Sequence, residues 1–81
     1  MRIEIQIRCE STWPTREELA LRNDLEDWLN GNIGSVVGCG GGMGAMDISL
    51  NTSDDEENVT RIRDRVRQLG LEKITEIKTM D

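Results

Sequence analysis

Residues Ile33–Leu50 read IGSVVGCGGGMGAMDISL, and the fold depends on whether this stretch is helix or strand. Ile33, Val36 and Val37 form a short β-branched run before the glycines, and Met46, Ile48 and Leu50 alternate with Asp47 and Ser49 after them. A period of two with one apolar face reads as strand, so the stretch is predicted to be two strands flanking a glycine-rich link.

Working toward the N-terminus, Thr15-Arg16-Glu17-Glu18 behind Pro14 has the form of a capping box, in which the hydroxyl of residue 15 and the carboxylate of residue 18 satisfy each other's backbone N–H groups. Leu21, Leu25, Trp28 and Leu29 then recur at helical spacing, and Asn30-Gly31 supplies a predicted stop. Before this helix, Ile3, Ile5, Ile7 and Cys9 alternate with Arg2, Glu4, Gln6 and Arg8, a strand with one buried face. Toward the C-terminus, Ser53-Asp54-Asp55-Glu56 reads as a second capping box, opening a helix that carries Val59, Ile62, Val66 and Leu69 and ends at Gly70. Glu72 to Met80 is read as an edge strand; Ile74 and Ile77 within it do not share a face, which suggests a bulge.

The predicted order β-α-β-β-α-β is that of a ferredoxin-like α+β two-layer sandwich, a four-stranded antiparallel sheet with both helices on one face. Right-handed crossovers make the first and third strands central. They also bring the end of the first strand, the Trp13 loop, the start of the first helix and the glycine hairpin to one end of the sheet. Residues 1–81 are read as a single domain.

Composition narrows the function. A formal charge of −6 opposes binding to nucleic acid and to anionic membranes. No apolar run approaches the ~20 residues of a membrane span, and the N-terminus lacks a signal-like apolar stretch. The chain is expected to be soluble, cytoplasmic, bacterial and unprocessed. Two cysteines in no CxxC pattern are too few for a disulfide framework. The chain has no His to activate a cysteine nucleophile, and no nucleophile–base pair stands out, so a non-enzyme is expected, with neither cofactor nor metal.

The glycines Gly38, Gly40, Gly41, Gly42 and Gly44 fit neither a dinucleotide fingerprint nor a Walker loop, since the residues after them read as a strand and no lysine precedes Lys73. They suit a mobile turn with repeated positive φ; successive N–H groups could also form an anion nest. Cys39 lies among them, and a redox link to Cys9 would require the glycine loop to fold over. Trp13 is either a lid on the helix entry or an exposed anchor, whereas Trp28 belongs to the core. The acids from Asp54 to Glu57 read as a helix cap, not a metal cluster. Asp47, on the polar sheet face, is expected to pair with Arg8 across the strands. The flanking Arg61, Arg63, Arg65 and Arg67 read as snorkelling sides of a buried stripe.

These residues favour a small, acidic, non-catalytic binding module that docks to a basic protein partner, as an intracellular inhibitor or immunity-type protein would. The alternative is a domain sensing a small anion or metabolite, held by the glycine backbone and the first helix's N-terminus. Candidate contact residues are Trp13, Thr15, Gly38, Cys39, Gly40, Gly41, Gly42, Met43, Gly44 and Asp47. The polar open sheet face suits a monomer or a weak homodimer.

Overall fold

The structure, a computed structural model, describes residues 2–10, 12–53 and 56–80. Asp54 and Asp55, and with them the second capping box, lie outside the described residues. The elements are β1 (Arg2–Arg8), α1 (Arg16–Asn32), β2 (Ser35–Gly42), β3 (Ala45–Asn51), α2 (Glu56–Gln68) and β4 (Thr75–Met80). They form one antiparallel sheet in the order β2-β3-β1-β4. The predicted ferredoxin-like order and the central position of the first and third strands are both present.

Strand alternation builds the core. Ile3, Ile5 and Ile7 of β1 pair in register with Leu50, Ile48 and Met46 of β3, and all six are buried. Leu25 and Leu29 of α1, Ile62 and Val66 of α2, and Leu71 join them in one cluster. Each fully buried side chain of this size contributes roughly 1.5–3 kcal/mol relative to exposure. The opposite face carries Glu4, Gln6, Asp47 and Ser49, which leaves it polar.

Three boundaries differ from the sequence reading. The glycine run is strand, not link: β2 continues through Gly42, with Gly38, Gly40, Gly41 and Gly42 paired to Ser49, Asp47, Met46 and Ala45. Pairing to β3 satisfies a backbone that glycine propensity alone would have left irregular. Helix α1 does not stop at Gly31 but passes through it to Asn32. Its end is set at Gly34, whose N–H reaches the Leu29 carbonyl at 3.1 Å and where a Cβ would lie 2.1 Å from the Asn51 carbonyl oxygen. Only a glycine lets the helix exit run this close to the end of β3. Strand β4 begins at Thr75, so Ile74 lies in the preceding turn while Ile77 faces Ile5. That removes the parity conflict without a bulge in β4; the irregularity lies in β2, between Val36 and Gly38.

Gly70 ends α2 as expected. Its φ is +75°, its N–H donates to the Arg67 carbonyl and the Leu71 N–H donates to the Val66 carbonyl, each at 3.0 Å. This is the paired closure that a left-handed glycine provides. The hydroxyl of the buried Thr52 donates to the Ile33 carbonyl at 3.1 Å and accepts from the Asn58 side chain, joining the ends of α1 and β3 to α2.

Candidate functional site

The end of β1 meets the β2–β3 hairpin. Arg8 stands opposite Ala45; one residue on, the Cys9 N–H donates to the Gly44 carbonyl at 2.8 Å, and the Gly44 N–H donates to the Thr12 carbonyl at 2.9 Å. The loop from β1 to α1 is therefore laced to the hairpin tip. Gly42 pairs with Ala45, which leaves Met43 and Gly44 as the turn, at φ +56° and +84°. Positive φ at both positions matches the hairpin turn whose twist suits the flanking strands, and methionine holds the first of them at some strain. The Met43 side chain stands 93% exposed.

Trp13 lies against this hairpin. At Gly42, where φ is +124°, a Cβ would sit 2.8 Å from Trp13 Cζ3, so the indole rests on bare backbone. A Cβ at Gly41 would be 3.3 Å from Pro14 Cγ, and Arg22 Nη1 donates to the Gly40 carbonyl at 3.0 Å. Trp13 nevertheless remains 69% exposed. The structure thus brings together Trp13, Gly41, Gly42, Met43 and Gly44 at one rim. Gly38 and Cys39 lie further along β2, and Asp47 stands opposite Gly40 on the side of the sheet away from the helices.

Thr15 caps α1 as the sequence indicated. Its hydroxyl accepts the Glu18 N–H at 3.2 Å, and Glu18 Oε1 accepts the Thr15 N–H at 2.8 Å. Glu18 Oε2 also accepts the Glu10 N–H at 3.3 Å. The Thr15 N–H, first among these bonds, holds the Glu18 carboxyl below the usual carboxylate range. A carboxylate of the chain itself, that of Glu18, therefore sits at the N-terminus of α1, the place an external anion would take in a sensing domain. Of the glycines, Gly38, Gly40 and Gly41 lack positive φ and run as paired strand, and the N–H of Gly44 is taken by the Thr12 carbonyl.

One further expectation fails. Arg8 does not pair with Asp47: its guanidinium donates to the Lys73 carbonyl at 3.1 Å, and Asp47 stands opposite Gln6. The register separates them, because Arg8 belongs opposite Ala45. Cys9 and Cys39 are both free, with Cys9 half-buried and Cys39 exposed. Burial, and then the Glu18 carboxylate, push the Cys9 thiol above its ordinary value. Cys9 lines an open cleft of about 800 Å³ that also includes Glu10, Thr15, Glu17, Leu21 and Ile74.

The sequence reading missed the solvent face of α1. Glu17, Ala20, Asp24 and Asp27 are exposed at spacings of three and four residues, which puts them on one stripe. Among the described residues the ion pairs are Arg2–Glu4, Arg67 with Asp64 and Glu72, and Lys78–Glu76; α1 contributes to none. The i, i+7, i+10 spacing of the three acids was the available signal. Among the described residues no three His, Cys, Asp or Glu side chains converge as a metal site, and no helix is long and apolar enough to cross a membrane. Comparison of the chain with protein-family profiles, with curated proteins and with solved structures finds no match.

Proposed function

We propose that this protein is a non-catalytic docking module for a basic protein partner, consistent with an inhibitor or immunity-type role. The observation that carries this reading is the unpaired acidic stripe Glu17–Asp24–Asp27, on the helix that begins just after the exposed Trp13. Carboxylates with no cation of their own keep their field available to an approaching partner, which raises the association rate and excludes acidic competitors. Trp13 supplies what charge does not, a large rigid apolar contact of the kind that anchors interfaces. Its seat on Gly42 holds the ring in place before binding, so less side-chain freedom is lost on contact.

The test is recovery of partners on the immobilised protein at low salt, with identification by mass spectrometry. The partner is expected to be basic, to bind more weakly as salt rises, and to lose about tenfold or more in affinity with the combined Glu17→Lys, Asp24→Lys, Asp27→Lys variant. Trp13→Ala should weaken it through faster dissociation. Partners held equally well by the charge-reversed protein would overturn the assignment.

A further inference from the structure

The two edges of the sheet are built differently. β4, at one edge, carries Glu76 and Lys78, whose side chains approach to 3.8 Å; charged residues on an edge discourage pairing with other chains. β2, at the other, has no charged residue from Ser35 to Gly42. Its flat part is short, bounded by the irregularity between Val36 and Gly38 at one end and by the Met43-Gly44 turn at the other, and is centred on Gly40.

Backbone direction is set by the hairpin. With a two-residue turn, Gly42 and Ala45 exchange hydrogen bonds, and the alternation along an antiparallel ladder then turns Gly40 toward β3 and leaves the N–H and C=O of Cys39 and Gly41 pointing outward. At Gly40 φ is not positive and a Cβ would meet nothing within 4 Å, so no contact inside the molecule requires glycine there. Side chains stand off the faces of a sheet and not off its edge, so a second strand can approach here with or without a Cβ.

We propose that the free edge of β2 pairs with β2 of a second copy of this chain, antiparallel about a twofold axis at Gly40, giving one continuous eight-stranded sheet. This goes beyond the docking function and uses the backbone edge of β2 in place of the α1 stripe. Three observations select a second copy. With Gly40 opposite Gly40, the outward groups of Cys39 meet those of Gly41 of the second copy, and the reverse, so the edge is complementary to itself. Val37, 52% exposed at the irregularity, and Met43, 93% exposed in the turn, flank this stretch, and the same axis brings the end of one copy that carries Val37 beside the end of the other that carries Met43. The uncharged strand, finally, offers nothing to choose a partner by charge.

The net charge of −6 on each copy opposes association until it is screened. Dimerisation therefore strengthens with salt, whereas docking to a basic partner weakens, and the two readings fail separately. Sedimentation equilibrium from about 10 μM to 1 mM protein, at 0.05 and 0.5 M NaCl, should give a mass rising toward twice the monomer, with the lower dissociation constant at high salt. Val37→Lys and Met43→Lys should each weaken the dimer about tenfold or more while leaving the far-ultraviolet circular dichroism unchanged. Gly40→Cys in a Cys9→Ser, Cys39→Ser background, oxidised with diamide, should cross-link readily, because directly opposed residues that do not exchange hydrogen bonds lie about 4.5 Å apart at Cα. Gly38→Cys in that background faces Gly42 of the second copy and should cross-link far more slowly. A monomer throughout the range at 0.5 M NaCl, or equal cross-linking at the two positions, would overturn the proposal.

Discussion

Gly34, Gly42 and Gly40 show that glycines on one chain serve separate physical ends. Gly34→Ala should cost about 3 kcal/mol in urea unfolding, because a Cβ 2.1 Å from the Asn51 oxygen forces the α1 exit away from β3. Gly42→Ala should cost about 2–3 kcal/mol through its positive φ and the Trp13 ring. Gly40→Ala, with open space and no positive φ, should instead stabilise the protomer by about 0.4–1 kcal/mol, by reducing the freedom of the unfolded chain. The sequence displays these glycines alike, since what separates them is the neighbour each acquires on folding. Thiol chemistry separates the cysteines in the same way. Iodoacetamide at pH 8, followed by mass spectrometry, should modify exposed Cys39 well before Cys9, whose thiol is half-buried and pushed up by that burial and by Glu18.

Among the elements, those with strong period and explicit caps were legible: β1, β3, α2 and the start of α1 all emerge from apolar spacing and, for α1, from Thr15 and Glu18. What escaped was decided by tertiary contact. The glycine run became strand because β3 lay beside it, and α1 outran Gly31 because Leu29 and Ile33, on either side of that glycine, both pack on the core. The Thr15–Glu18 cap makes α1 sensitive to acid. Because the folded-state pKa of Glu18 is depressed, its contribution is complete above the unfolded value and is lost as pH falls through the folded one. Urea midpoints measured from pH 6 to pH 3 should therefore fall less steeply in Glu18→Gln than in the parent. Toward the other end of α1, the Arg65 guanidinium lies 5.8 Å from the Trp28 ring centroid and ties α2 to α1. Arg65→Ala should cost about 0.5–1 kcal/mol.

For the whole molecule, topology had already indicated that the Trp13 loop and the hairpin share a rim, and the candidate residues there were found from order alone. The acidic stripe of α1 and the asymmetry of the two edges were not, since both depend on which groups remain unpaired once the chain has closed. The ends of the described chain lie beside each other, with Arg2 opposite Met80 in the β1–β4 pairing, at the far end of the sheet from the Gly42–Ala45 closure. A fluorescent reporter spliced onto either end is thus held well away from Trp13. A short designed linker from Met80 to Arg2 would permit circular permutation, with new termini opened between the exposed Glu72 and Lys73.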